Sequence, residues 1–100
     1  ENDPAARSIC DALLAPTPGE LTFKVNSQLL ASGFAVSDDE TRRAMAAAFE
    51  YLKIVLEPGG AVSLAAVLSG RIDAKGKTIV VVSSGGNCDP AIFAEALETR

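Results

Sequence analysis

Residues Lys77 to Asn87, KTIVVVSSGGN, constrain this chain more than any other stretch. Thr78-Ile79-Val80-Val81-Val82 are five β-branched residues in a row, the pattern of a strand covered on both faces, since neither face alternates to polar residues. A strand over 78–83 is therefore expected. It runs into Ser84-Gly85-Gly86-Asn87, where two glycines permit unusual dihedrals or a close backbone approach and the short polar side chains supply hydrogen bonds. Asp89 and Pro90 then read as the cap and first residue of a helix. In open α/β sheets, ligands bind beyond the carboxyl ends of strands, so Ser84 to Asn87 stand where a ligand would lie.

The segments before it read mostly as helices. Glu1 to Arg7 is a polar loop or cut end, and Ser8 to Leu14 a short turn or strand. Thr17-Pro18-Gly19-Glu20 has capping-box spacing and predicts a helix from about Pro18 to Ser32, with Leu21, Val25, Leu29 and Leu30 on its apolar face and Gly33 as a left-handed terminator. Phe34-Ala35-Val36 reads as a short strand or extended link. Ser37-Asp38-Asp39-Glu40 repeats the capping box and opens a helix to about Leu56, burying Met45, Ala48, Phe49 and Leu52. Pro58 ends it. An almost wholly apolar helix follows from about Gly60 to Ser69 and stops at Gly70, and a last helix runs from Pro90 to about Thr99. The expected architecture is α/β, about four helices with one strong strand (78–83) and one short strand (34–36). One such strand cannot bury both faces without sheet neighbours that this chain does not offer.

Composition narrows the function. One hundred residues make at most one domain. A formal charge of -4 with scattered Lys and Arg gives no basic stripe for a nucleic acid. No apolar run is long enough to span a membrane and no leader is visible, so a cytoplasmic setting is expected. With no histidine, the commonest general base and most transition-metal sites are excluded. Cys10 and Cys88 form no metal motif and read as reduced thiols. Asp38, Asp39 and Glu40 are explained by capping and dipole complementarity rather than by a metal, and none is expected.

Four motifs in register carry a resemblance: Pro18-Gly19-Glu20-Leu21, Val36-Ser37-Asp38-Asp39-Glu40, Glu57-Pro58-Gly59-Gly60-Ala61 and Ser84-Gly85-Gly86-Asn87-Cys88-Asp89. Together they resemble the carboxyl-terminal part of the pyridoxal-phosphate (PLP) enzymes of the threonine dehydratase and serine racemase family. The resemblance implies that residues 1–100 are the carboxyl-terminal portion of a PLP-dependent large domain, a helix-rich fragment of a three-layer α/β/α fold-type II (tryptophan synthase beta-like) domain, with no second domain. In that family the Schiff-base lysine and the phosphate-binding glycine loop lie upstream. None of Lys24, Lys53, Lys75 or Lys77 sits in the lysine motif, so no catalytic residue is assigned.

The resemblance also implies that Ser84, not Ser83, hydrogen-bonds the pyridine nitrogen of the cofactor. A neutral hydroxyl there leaves that nitrogen mostly unprotonated and weakens the electron sink, which suits prompt loss of a β-leaving group. The plainer reading of Ser84 is a serine that ends a strand. Glu57 is the second cofactor-binding candidate, through the polar network around the ring, the plainer reading being a cap on the helix that starts at Pro58. Gly85 and Gly86 could instead cradle a phosphate in a backbone nest, although the Walker spacing is absent. Cys88 stands where a valine is usual and Ala12 where glycine follows Asp11.

The expected function is a fragment of an ammonia-lyase acting on serine, threonine or 3-hydroxyaspartate, inactive alone. Its partners would be the rest of the PLP enzyme, a small hydroxy amino acid and a further copy in a homo-oligomer. A same-fold racemase and a free-standing small-molecule-binding module of ACT type are the alternatives.

Overall fold

The computed structural model describes residues 3–100, so the part of the expected Glu1–Arg7 loop at residues 1 and 2 lies outside it. Four α-helices form: α1 (Glu20–Leu29), α2 (Asp38–Ala47), α3 (Pro58–Leu68) and α4 (Pro90–Leu97). A 3-10 turn at Asp11–Leu13 precedes α1, and a wider π turn at Ala48–Leu52 continues α2.

The core is built on α2, which packs against both α3 and α4. Its start is held by the expected capping box: Ser37 Oγ accepts from the Glu40 N–H (3.2 Å) and Glu40 Oε2 from the Ser37 N–H (2.7 Å). Thr41, Ala44, Met45 and Ala46 are buried on α2. From α3, Ala61 and Ala65 join the same core cluster, small enough for the two helices to approach closely. Met45, fully buried, fills the space those small residues leave, and burying it stabilises the fold by about 1.5–3 kcal/mol. Leu56 and Ala96 close the cluster, and Phe93 of α4 meets Phe49 edge to face, centroids 5.4 Å apart. Asp89 caps α4, its Oδ1 accepting from the Ala91 and Ile92 N–H groups (2.8 and 3.4 Å), and Gly70 ends α3 at φ 76°.

Several expected boundaries move. The second helix leaves α geometry at Ala48 and stops at Lys53, which takes a left-handed φ of 61° and donates its N–H to the Ala48 carbonyl. Phe49 and Leu52, expected inside, are 38% and 59% exposed. The first helix is shorter at both ends than 18–32. Its N-cap is Gly19, without a side-chain cap, and Gly33 is not left-handed. No other helix lies against α1, so the apolar face of Leu21, Val25 and Leu29, with Leu30 just beyond it, is exposed.

The strands at 78–83 and 34–36 are not formed, and the described residues contain no strand at all, which corrects the α/β expectation to four helices. A β-strand exists by virtue of a ladder partner about 4.8 Å away. Here both segments lie along α3 but are held apart by an open apolar trough of about 290 Å3, lined by Phe34, Val36, Val62, Ala66, Ile79 and Val81. Nor is the β-branched run covered on both faces. Ile79 and Val81 are half-buried in the trough, while Val80, which also borders it, and Val82 are 87% and 73% exposed.

Candidate functional site

The turn after the β-branched run is clamped against the start of α3. Pro58 at the first helical position has no N–H to satisfy and Glu57 sits in extended backbone at the N-cap, φ -72° and ψ 159°. Its side chain does not cap the helix, contrary to the plainer reading of this residue. Instead it reaches across to the second motif. Glu57 Oε2 accepts from the Asn87 N–H (3.2 Å), and the Glu57 N–H donates to the Gly85 carbonyl (3.1 Å).

The glycines at this junction are required by space rather than by dihedral, since only Gly70 and Gly76 have positive φ. A Cβ on Gly85 would lie 2.6 Å from Glu57 Cδ. One on Gly60 would lie 2.7 Å from the Gly85 carbonyl oxygen, and one on Gly86 2.7 Å from the Val55 carbonyl oxygen. Gly60, Gly85 and Gly86 thus form an interlock in which two backbone segments touch directly. Within the turn the Cys88 N–H closes back on the Gly86 carbonyl (3.0 Å).

Beside the clamp is a polar pocket of about 230 Å3 between Ile9, Asp11, Glu57, Asn87, Cys88 and Asp89. Burial, then the charges of Asp89 and Glu57, push the Cys88 thiol above its ordinary pKa, so it stays a neutral thiol. A carboxylate already accepts the Asn87 N–H, which argues against a phosphate nest at this turn.

Ser84 is exposed on the rim of the same turn and lines none of these cavities. Among the described residues its hydroxyl makes no hydrogen bond, so it is free to receive or donate one to a ligand. Behind it, Ser63 Oγ of α3 donates to the Val82 carbonyl (2.9 Å), tying the end of the β-branched run to the helix. Sequence reasoning brought out Ser84 and Glu57 but missed Ser63 and Val55, whose partners lie far along the chain. The four lysines are elsewhere: Lys53 Nζ donates to the Glu50 carbonyl (2.7 Å), Lys77 pairs with Asp73 (3.6 Å), and none lines the polar pocket. The acidic cluster is also engaged locally, Asp38 with Ser8 and the Ile9 N–H, Asp39 with Arg42, and Glu40 with Ser37 and Arg71.

The family model for pyridoxal-phosphate dependent enzymes matches residues 1–85. The chain belongs to that family. Its match ends at Gly85, inside the clamped turn. Among curated proteins it is 40% identical, over 82% of its length, to a catabolic L-threonine dehydratase of Staphylococcus aureus, covering 25% of that protein. It is 38% identical to the L-threonine ammonia-lyase of Thermotoga maritima, over 82% of this chain and 20% of the relative. A phenylserine dehydratase of Ralstonia pickettii matches over 91% of this chain at 36% identity, 28% of the relative being covered. The chain thus spans about a quarter of the length of the curated relatives it matches.

As a family member the chain is expected to meet pyridoxal phosphate, and its residues fit one edge of that group. An unengaged, exposed hydroxyl at Ser84 suits a heteroaromatic nitrogen. Among the described residues no helix is long and apolar enough to cross a membrane.

Proposed function

We propose that this chain is the carboxyl-terminal portion of the large domain of a PLP-dependent ammonia-lyase for a small hydroxy amino acid such as serine, threonine or 3-hydroxyaspartate, working in the cytoplasm. The observation that carries the reading is the clamp of Glu57 on Gly85 and Asn87, which fixes the turn while leaving the Ser84 hydroxyl exposed and unengaged. The dehydratase names of the relatives point the same way.

When bound, pyridoxal phosphate supplies an electron sink for negative charge at the substrate α-carbon. Ser84 would offer its hydroxyl to the ring nitrogen and, being neutral, would not hold a proton on it as a carboxylate would. A hydroxyl in that place would keep the sink moderate, which suits early departure of a β-hydroxyl. Glu57 belongs to the polar network around the ring and holds the turn through the Asn87 N–H. The lysine that moves the α-proton comes from outside these residues.

Replacing the matching quarter of the Staphylococcus dehydratase with this chain tests the reading. The chimera forms keto acid and ammonia from threonine or serine, and Ser84→Ala lowers that rate at least about tenfold and shifts the cofactor absorbance, whereas Ser83→Ala does neither. The isolated chain forms no keto acid. Turnover by the pure chain, or a chimera indifferent to Ser84→Ala, overturns the assignment.

A further inference from the structure

Among the described residues the hydroxyls of the α-helices are used locally, with one exception. Thr22, Ser27 and Thr41 each return theirs to a carbonyl three or four residues back along the chain, the ordinary choice for such side chains. Ser63, in the middle of α3, crosses instead to the Val82 carbonyl, 2.9 Å away and nineteen residues on.

The place of that bond matters. Ser63 lies three residues after Gly60 and so on the same face of α3. Gly60 meets the far end of the turn, since a Cβ on it would stand 2.7 Å from the Gly85 carbonyl oxygen and 3.0 Å from the Gly85 nitrogen. Residues 82–85 therefore run back along one face of α3, held at Val82 by Ser63 and at Gly85 by Gly60 and the Glu57 N–H. Between these anchors Ser83 and Ser84 are exposed and make no hydrogen bond with the described residues. The two anchors, and no contact of its own, set where the Ser84 hydroxyl stands.

We propose that Ser63 is a positioning residue for Ser84, its bond to the Val82 carbonyl fixing the approach of the Ser84 hydroxyl to the cofactor. The proposal rests on the reading of Ser84 as the group that meets the ring nitrogen. The Glu57 clamp holds only the chain that follows Ser84. Without Ser63 the residues before it are free to pivot about Gly85, and a hydroxyl acts on a ring nitrogen only within the narrow distance and angle of a hydrogen bond. The Val82 carbonyl has a second lone pair, so it keeps Ser63 even where it also accepts from a neighbouring strand of a complete enzyme. Because Ser84 acts on charge that develops during the reaction, misplacing it costs rate more than capture of the amino acid.

The test uses the chimeric dehydratase with Ser63→Ala, which favours helix and so leaves α3 intact, and Ser63→Thr, which keeps the hydroxyl. Ser63→Ala lowers kcat about three- to tenfold with KM changed less than about twofold. It also shifts the cofactor absorbance in the direction that Ser84→Ala does, and Ser63→Thr restores both. In the Ser84→Ala background Ser63→Ala has no further effect, because a residue that acts through Ser84 has nothing left to position. One readout needs no turnover: in the isotope-labelled chain the Val82 carbonyl resonance moves with Ser63→Ala and keeps its place with Ser63→Thr. A chimera that responds to Ser84→Ala but not to Ser63→Ala, or an unmoved Val82 resonance, overturns the positioning role and leaves the reading of Ser84 standing. Equal losses from Ser63→Ala with and without Ser84 overturn it too, since the bond then serves the fold alone. A chimera indifferent to Ser84→Ala removes the reading itself, and the proposal falls with it.

Discussion

Glu57 and Gly85 hold each other twice, once through the Glu57 N–H on the Gly85 carbonyl at 3.1 Å and once through a carboxylate that lies where a side chain on Gly85 would have to be. The second contact is exclusive. Any L-residue at 85 would displace the carboxylate from the Asn87 N–H that it accepts, and the turn would lose its anchor.

Neighbouring glycines on α3 therefore differ in their tolerance. Gly60→Ala drives a methyl to 2.7 Å from a backbone oxygen that cannot rotate away, whereas at Gly59 the nearest atom would be 3.6 Å distant. Gly60→Ala costs about 1–3 kcal/mol by overpacking. Gly59→Ala is neutral or stabilising by up to about 1 kcal/mol, through the lower entropy of the unfolded chain. Urea denaturation of the two variants checks the difference, and equal midpoints would contradict the interlock.

What the sequence shows and hides follows from the range of each interaction. The Ser37 to Glu40 box and the Asp89 cap were legible because each is made within one turn of chain. The plainer reading of the Glu57 carboxylate, a cap, followed the same local logic. The carboxylate was drawn instead to the Asn87 N–H, thirty residues on, which no local pattern records. The β-branched run was read as a strand covered on both faces, yet Val80 and Val82 are 87% and 73% exposed. Its strand was not formed, because Thr78 to Val82 and Phe34 to Val36 are separated by open trough where a ladder would have to be. Ser84 and Glu57 came from motif resemblance rather than from physics, and only Glu57 has a contact that explains its type.

Acid should weaken α2 at its first turn. The hydrogen bond from the Ser37 N–H, opposed by burial and helped by Arg71 at 3.2 Å, holds the Glu40 carboxyl below its ordinary 4.5. A carboxylate with a depressed folded-state pKa contributes stability that is complete above the unfolded value and is lost as pH falls through the folded one. Glu40→Gln is accordingly less stable than wild type at pH 7, and the gap narrows as the pH is lowered below 4.5. Thermal melts of both chains across that range measure it; a gap that is constant with pH would show that the charge plays no part.

The two thiols are distinguishable by rate. Cys10 is 6% exposed and reacts with iodoacetamide only as the fold opens. Cys88 is half-buried, and its raised pKa keeps the thiolate scarce at pH 8, so it is alkylated more slowly than a free cysteine. Glu57→Gln removes one of the charges that suppress the thiolate and accelerates labelling at Cys88 but not at Cys10. Intact-mass time courses follow both sites. Labelling of Cys88 at the rate of a free thiol would refute the suppression.

The Ser8 hydroxyl meets Asp38 Oδ1 at 2.6 Å, and the Ile9 N–H meets the other oxygen of the same carboxylate. These bonds bring the two ends of the excursion that contains α1 together at the mouth of α2. Everything between is a loop in the polymer sense, closed at its neck: the turn at Asp11–Leu13 and Val36 pack against α3 and the core near that neck, while α1 touches no other described helix. Closing such a loop depends only weakly on how long it is, each doubling costing about 0.6 kcal/mol. The α1 stretch of the excursion is therefore the part of this chain where insertions, deletions or a grafted domain can be absorbed while the α2, α3 and α4 packing stays as it is.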